Sequence, residues 1–478
     1  MTLDRREFLQ SAAALGAALA LPAGAAPARK DQTIDLVPAE LRVQLDPNSP
    51  VRTAVWSYND QFPGPALRFR RGERARIAVR NQLAQETTVH WHGLRVPNAM
   101  DGVPGVTQLP IPVGGRFEYA FELKDSGTYW YHPHQASYEQ VSRGLYGALI
   151  VEEDKPPKVD RDEVWMLSDL KLDEQRQQVE DFGRILDIAN DGRRGSQLLV
   201  NGLVAGSERQ IEVRSGERLR LRLINAASAR FFRLSIEGHE AQIVAWDGQG
   251  LAPYPVPAEG IDLGPGMRVD LILDCMAKPG SRFEIRDAGR PKASGGVLGT
   301  LAYSTQAPVR TKPLASSIVV PPNSLPEPNL AKASDHYIMF QGGMRGAPVI
   351  GTVDGKPSRI QDIMAKQGLA WTMNYNAQHE HALMHEPLLN LSRGEHVILH
   401  MVNETDFIHP MHLHGHFFRL LAVNGVANPQ REWRDTVIMG ARQSMDVAFV
   451  AENPGEWMYH CHILDHAAGG MMGTIVVE

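Results

Sequence analysis

GERARIAVRN (Gly72–Asn81), GERLRLRLIN (Gly216–Asn225) and GEHVILHMVN (Gly394–Asn403) are three copies of one pattern: Gly-Glu, seven residues, then Asn. Within each copy apolar and polar side chains alternate, with the period of two expected of a half-buried β-strand. A pattern that returns three times along 478 residues marks a repeated module. Each module also closes alike, on SGTYWYHPH (Ser126–His134), PGSRFEIRD (Pro279–Asp287) and PGEWMYHCH (Pro454–His462). The apolar ends GALIVEE, GTLAYS and GTIVVE follow them. The expectation is an all-β chain of three Greek-key β-sandwich domains, at residues 32–153, 154–305 and 335–478. Residues 306–334, rich in Pro and Ser, read as an extended tether between the second and third.

Composition agrees with several cores. A 43% hydrophobic content over this length is more than one ordinary core accommodates, and 43 Gly and 32 Pro place turns between short strands. The net charge of -6 comes from interspersed acids and bases without a basic stripe. That excludes nucleic acid and anionic lipid as partners and leaves a small or neutral one.

The N-terminus belongs to another category. DRREFLQ, with Arg5, Arg6 and Phe8-Leu9, precedes a modest apolar segment and then small residues. This predicts a twin-arginine export signal over residues 1–28 and a periplasmic or secreted protein. The apolar run is broken by Gly16 and Pro22 and is shorter than the roughly 20 residues of a membrane span. An exported chain with two cysteines invites a disulfide, but Cys461 is boxed by histidines, and Cys275 ends an apolar strand as a small buried residue.

The histidines sit on the repeat. The first module carries HWHG (His90, His92) and HPH (His132, His134), and the third carries HPMHLHGH (His409, His412, His414, His416) and HCH. The middle module has only His239 and reads as a spacer, so the metal belongs between the outer two. If HCH is extended, His460 and His462 project from one face and Cys461 from the other. Two metal centres then flank one strand, and Cys461 is a wire as well as a ligand. Thiolate, two imidazoles and a weak thioether favour a blue copper site, and His409, Cys461, His466 and Met471 supply them. The other face gathers eight imidazoles, His90, His92, His132, His134, His412, His414, His460 and His462, which suit three coppers with room for oxygen.

At these residues the chain resembles a three-domain bacterial multicopper oxidase of the laccase and cuprous-oxidase kind, from the first Gly-Glu strand to the C-terminus. The resemblance implies cupredoxin-like domains and four copper ions. The type 2 ion would lie on His90 and His412. One type 3 ion would take His92, His132 and His462, and the other His134, His414 and His460; type 1 copper would take the four ligands above. The implied reaction takes single electrons from a reductant at type 1 and reduces O2 to water at the cluster, in a protein expected to be a monomer. A copper nitrite reductase needs one catalytic copper on three histidines and a small carrier only the type 1 set. A non-enzymatic scaffold would have lost ligands.

The reductant is a small molecule or Cu(I). Cuprous oxidases carry an Asp and a Met just before the first type 1 histidine, where this chain has Thr405 and Phe407. The methionines from Met339 to Met384 are scattered and read as core filling. Phenol oxidation is therefore expected ahead of a copper-tolerance role. Asp101, nine residues past His92, is expected to handle protons in oxygen reduction. Related oxidases often have a second acid directly after the type 1 histidine. Here that position is Ala467.

Overall fold

A computed structural model describes residues 33–289, 295–345, 348–379 and 386–478. The export segment and most of the His-rich run after Gln378 lie outside the described residues.

All three repeats form the same piece of structure. They give the strands Arg74–Arg80, Glu217–Asn225 and His396–Asn403. Each runs parallel to an early strand of its domain: Ile34–Leu36, Arg161–Leu170 and Ser334–Gly342. Each pairs antiparallel with a later one: Arg116–Glu122, Arg268–Cys275 and Ser444–Val450. The fixed letters are explained by the turns. Gly72, Gly216 and Gly394 adopt φ of 82°, 87° and 85°, where a Cβ is strained. The carboxylates of Glu73, Glu217 and Glu395 accept from the backbone N–H three residues earlier, on Arg70, Arg214 and Ser392. The closing Asn accepts the N–H two residues on, at Leu83, Ala227 and Thr405. Its amide donates to carbonyls of the following loop, such as those of Gln85, Arg230 and Phe407. These bonds satisfy buried polar groups where each strand stops.

The chain is an all-β protein of three cupredoxin-like domains, each with its own apolar core around residues such as Trp91 and Tyr119, Leu221 and Phe232, and Phe449 and Trp457. The alternation misleads in the second domain. Arg218, Arg220 and Arg222 stand at the polar positions yet are buried. Arg220 is paired with Glu153 and Asp270, and Arg222 with Asp162, because the first domain covers that face. The Pro-rich stretch is irregular apart from one turn at Leu330–Lys332. It is also fastened down: Asn323 bonds Ser126 and Gln249, and the Leu314 and Ser316 carbonyls accept from Arg218.

Candidate metal centres

Two neighbouring strands of the third domain bring the first centre together. His409 opens the strand His409–Leu413, Cys461 ends Gly455–Cys461, and His466 stands on the short helix Leu464–Ala468. The Nδ1 atoms of His409 and His466 lie 3.0 Å apart and 3.6 and 3.7 Å from Cys461 Sγ. All three residues are fully buried. The Asn190 carbonyl, which can only accept, takes the Nε2 proton of His466 at 2.7 Å. Thr405 gives its hydroxyl proton to Asn403 Oδ1 and so receives that of His409 Nε2 at 2.8 Å. Both imidazoles therefore turn an Nδ1 lone pair toward the sulfur. Met471 is buried in the same apolar cluster, its carbonyl accepting from Cys461 N–H and its N–H donating to the His466 carbonyl.

Eight histidines form the second centre, across the first and third domains. Strand pairing sets His90 opposite His132 and His412 opposite His460. His90 stacks on His414 at 3.9 Å, and His92 on His412 at 3.8 Å. Candidate ligand atoms lie within 4.8 Å of one another in three sets: His92, His132, His462; His134, His414, His460; and His90, His92, His412. The Nδ1 atoms of His90, His132, His412 and His460 face the carbonyls of Asp101, Pro133, Asp435 and Cys461. Their Nε2 lone pairs are left to point inward. Among the described residues, His90 Nε2, His92 Nδ1, His132 Nε2, His412 Nε2 and both nitrogens of His462 are buried without a partner. Orphaned buried nitrogens are costly, and their convergence here fits metal cations.

The electrostatics suit soft cations. Burial pushes His409 and His132 well down and His414 and His466 to about 3, so these four imidazoles are neutral at physiological pH, the form that binds a metal. Burial pushes the Cys461 thiol up; a metal binding there must displace its proton. His416 and His400 lie outside both sets and are held by Asn453 N–H and by Asp446 with Asp335.

Asp101 sits at the cluster. Its carboxylate accepts from His414 Nδ1 at 2.7 Å and lies 3.3 Å from His90 Nδ1. Burial would raise its pKa, but the two imidazoles overcome that and hold it well below the usual carboxylate range. Gly102, φ 83°, follows because a Cβ there would meet the Val89 carbonyl at 1.9 Å. Asp465 turns away from the cluster, its Oδ2 accepting from Arg193 N–H of the second domain at 2.8 Å. Ala467 faces an apolar cluster with Val103, Met458 and Met472.

The spacer reading of the second domain understates it. Arg268 makes a bidentate pair with Asp435 at 2.8 and 2.6 Å, and Asp435 Oδ1 lies 3.5 Å from both His92 Nε2 and His412 Nδ1. With Asn190, this domain touches both centres. No local motif announces Asn190, Arg268 or Asp435; register alone sets Thr436, the neighbour of Asp435, opposite His412.

Family profiles described as multicopper oxidase match residues 42–156, 162–306 and 352–478. A multi-copper oxidase structure from Pseudomonas thermotolerans superimposes with a TM-score of 0.81 and 32% identity, over 94% of this chain and 99% of that one. The multicopper oxidase MmcO of Mycobacterium tuberculosis is 28% identical over 92% of this chain and 86% of its own length. A copper resistance protein A homolog of Pseudomonas syringae pv. tomato is 28% identical over 93% and 92%. With each of its three sandwiches matched, the chain belongs to the multicopper oxidase family, the copper-dependent oxidoreductases that use O2.

Proposed function

We propose that this chain binds four copper ions and couples the one-electron oxidation of a small phenol-type reductant to the reduction of O2 to water. His409, Cys461, His466 and Met471 hold the mononuclear site. His90 and His412 hold the type 2 ion, and the triads His92–His132–His462 and His134–His414–His460 hold the type 3 pair. Copper so held supplies reversible one-electron chemistry at the cysteine and a place for O2 at the cluster. The carrying observation is the convergence of unpartnered imidazole nitrogens on one side of the Cys461 strand and the Cys-His-His set on the other.

The chain's own residues divide the work. Backbone carbonyls fix the tautomers of four cluster histidines, and Asp101 does so for His414. The peptide bonds between His460, Cys461 and His462 give the shortest covalent route between the centres. The side chains of both sets are buried.

Cu(I) oxidation is the second reading. It is favoured by similarity to a copper resistance protein and countered by Thr405 and Phe407. Turnover of a phenol against Cu(I) on the copper-loaded protein, with copper counted per chain, decides between them. Fewer than four coppers per active chain would remove the cluster assignment. We place the mature protein, as a monomer, in the periplasm or outside the cell; among the described residues no helix is long and apolar enough to cross a membrane.

A further inference from the structure

Resting on that reading of the mononuclear site, we propose that a cap from the second domain denies reductants contact with His466, making the site selective for donors that can deliver an electron from the cap's outer face. His466 is the ligand on the short outer helix, yet it is fully buried, and its Nε2 is hydrogen bonded to the Asn190 carbonyl. Trp371 lies against its ring at 4.4 Å and is itself tied to the cap, its indole N–H donating to the Ile188 carbonyl at 2.7 Å.

The cap is fastened at several points. Ile188 and Ala189 are buried in the third domain's core. Ala189 O accepts from Met344 N–H at 2.8 Å, Asn190 Nδ2 lies 3.4 Å from Met344 Sδ, and Arg345 reaches Asp191 at 3.5 Å while covering Phe407. At the far end Arg193 N–H is held by Asp465. A bulky phenol cannot replace the Asn190 carbonyl at His466 Nε2 without breaking this set together.

Outside, the cap offers Ile185 and Leu186, beside Met344 of the third domain, each at least a third exposed. Oxidation there removes one electron from the donor, which passes through the Asn190 carbonyl and His466 to reduce Cu(II) to Cu(I). A phenolic donor releases its proton to solvent. Size discrimination then comes from distance: a small or strongly coupled donor nears the Asn190 carbonyl, and a bulky one is held off.

The test uses copper-loaded enzyme in which residues 185–190 are replaced by Gly-Gly, beside a Met344→Ala/Arg345→Ala variant that releases the pins and keeps the chain length. Hexacyanoferrate(II) serves as the outer-sphere donor and syringaldazine as the bulky phenol. Opening the cap is expected to raise kcat/KM for syringaldazine at least about ten-fold relative to that for hexacyanoferrate(II). The second readout is exchange of the histidine Nε2 protons coupled to oxidised type 1 copper, followed by ENDOR after transfer to D2O. Slow exchange in the wild type and one fast proton in the variants is expected. Equal effects on both donors in a folded blue variant, or fast exchange in the wild type, overturns the cap. Should the shortened loop not fold, the pin variant decides by the same measurements. Loss of the blue absorption in the wild type would instead strike the copper-site reading beneath it.

Discussion

Cys461 and His460 are consecutive residues whose side chains serve different centres: Cys461 Sγ lies 3.6 Å from His409 Nδ1, and His460 Nε2 lies 3.1 Å from His414 Nε2. The two-residue period of a strand produces this division. Cys461→Ser is expected to abolish the intense blue absorption and steady-state oxidase activity, since a hydroxyl cannot replace the thiolate. The cluster, built on the opposite face, is expected to keep its copper. Absorption, EPR and metal content test it, and a blue, active variant would refute the assignment.

Met471→Leu is expected to keep the blue colour and raise the type 1 potential, because loss of a weak axial donor favours Cu(I). The backbone bonds from Met471 to Cys461 and His466 do not depend on its side chain. A redox titration giving an unchanged or lower potential would reduce Met471 to a packing residue.

Arg268 and Asp435 are both fully buried. Arg268→Met removes one partner of a charge pair that joins the second and third domains, and leaves Asp435 facing two cluster histidines. Losing one partner of such a pair costs roughly 3–5 kcal/mol, so a clear drop in the unfolding midpoint is expected in denaturant titration. An unchanged midpoint would mean that water compensates the unpaired carboxylate.

Much of this was legible in sequence because it is local. The Gly-Glu-x7-Asn letters close a turn and cap a strand within a dozen residues, and the HCH alternation needs only strand geometry. What stayed hidden depends on distant chain. Arg220 and Arg222 alternate like solvent-facing residues, and only the arrival of the first domain buries them. The Asn190 carbonyl is main chain, which any residue could supply, so no side-chain signature marks it. The direction of Asp465 was equally open, because an acid beside His466 could serve either the cluster or the second domain.

Asp465 gives a pH dependence for the copper-free protein. Burial pushes its carboxyl up to about 6 from an ordinary 3.8. The folded chain thus holds a proton that the unfolded chain has released, so ionisation penalises folding fully above about pH 6 and not below about pH 4. The penalty is on the order of 3 kcal/mol at 1.4 kcal/mol per unit. Asp465→Asn, whose amide oxygen can still accept from Arg193 N–H, is expected to stabilise the copper-free protein at pH 7, with the gain fading toward pH 4. Thermal unfolding at the two pH values tests this; an equal effect at both would assign it to packing.

Asp101 carries the remaining expectation, that of a proton-handling carboxylate. Reduction of O2 to water takes up four protons inside a buried site lined by imidazoles, so an acidic group must connect that site with solvent. Asp101 binds His414 Nδ1 and neighbours His90 Nδ1, while the position after His466 holds Ala467 in an apolar cluster and Asp465 faces Arg193. No second described carboxylate stands where related oxidases place one, and Asp435, the other carboxylate beside the cluster, is held in its pair with Arg268. A residue that only capped the turn before Gly102 would have no reason to direct its oxygen at a histidine from another domain. Asp101→Asn preserves an acceptor for His414 but removes the charge. It is expected to leave copper content and type 1 reduction intact while slowing reoxidation of the fully reduced enzyme by O2 roughly 100-fold, the lower end of what a positioned proton donor contributes. The slowing should be greatest at high pH, where solvent protons are scarce. Stopped-flow reoxidation measures it directly, and wild-type rates in a fully copper-loaded variant would remove Asp101 from the proton path.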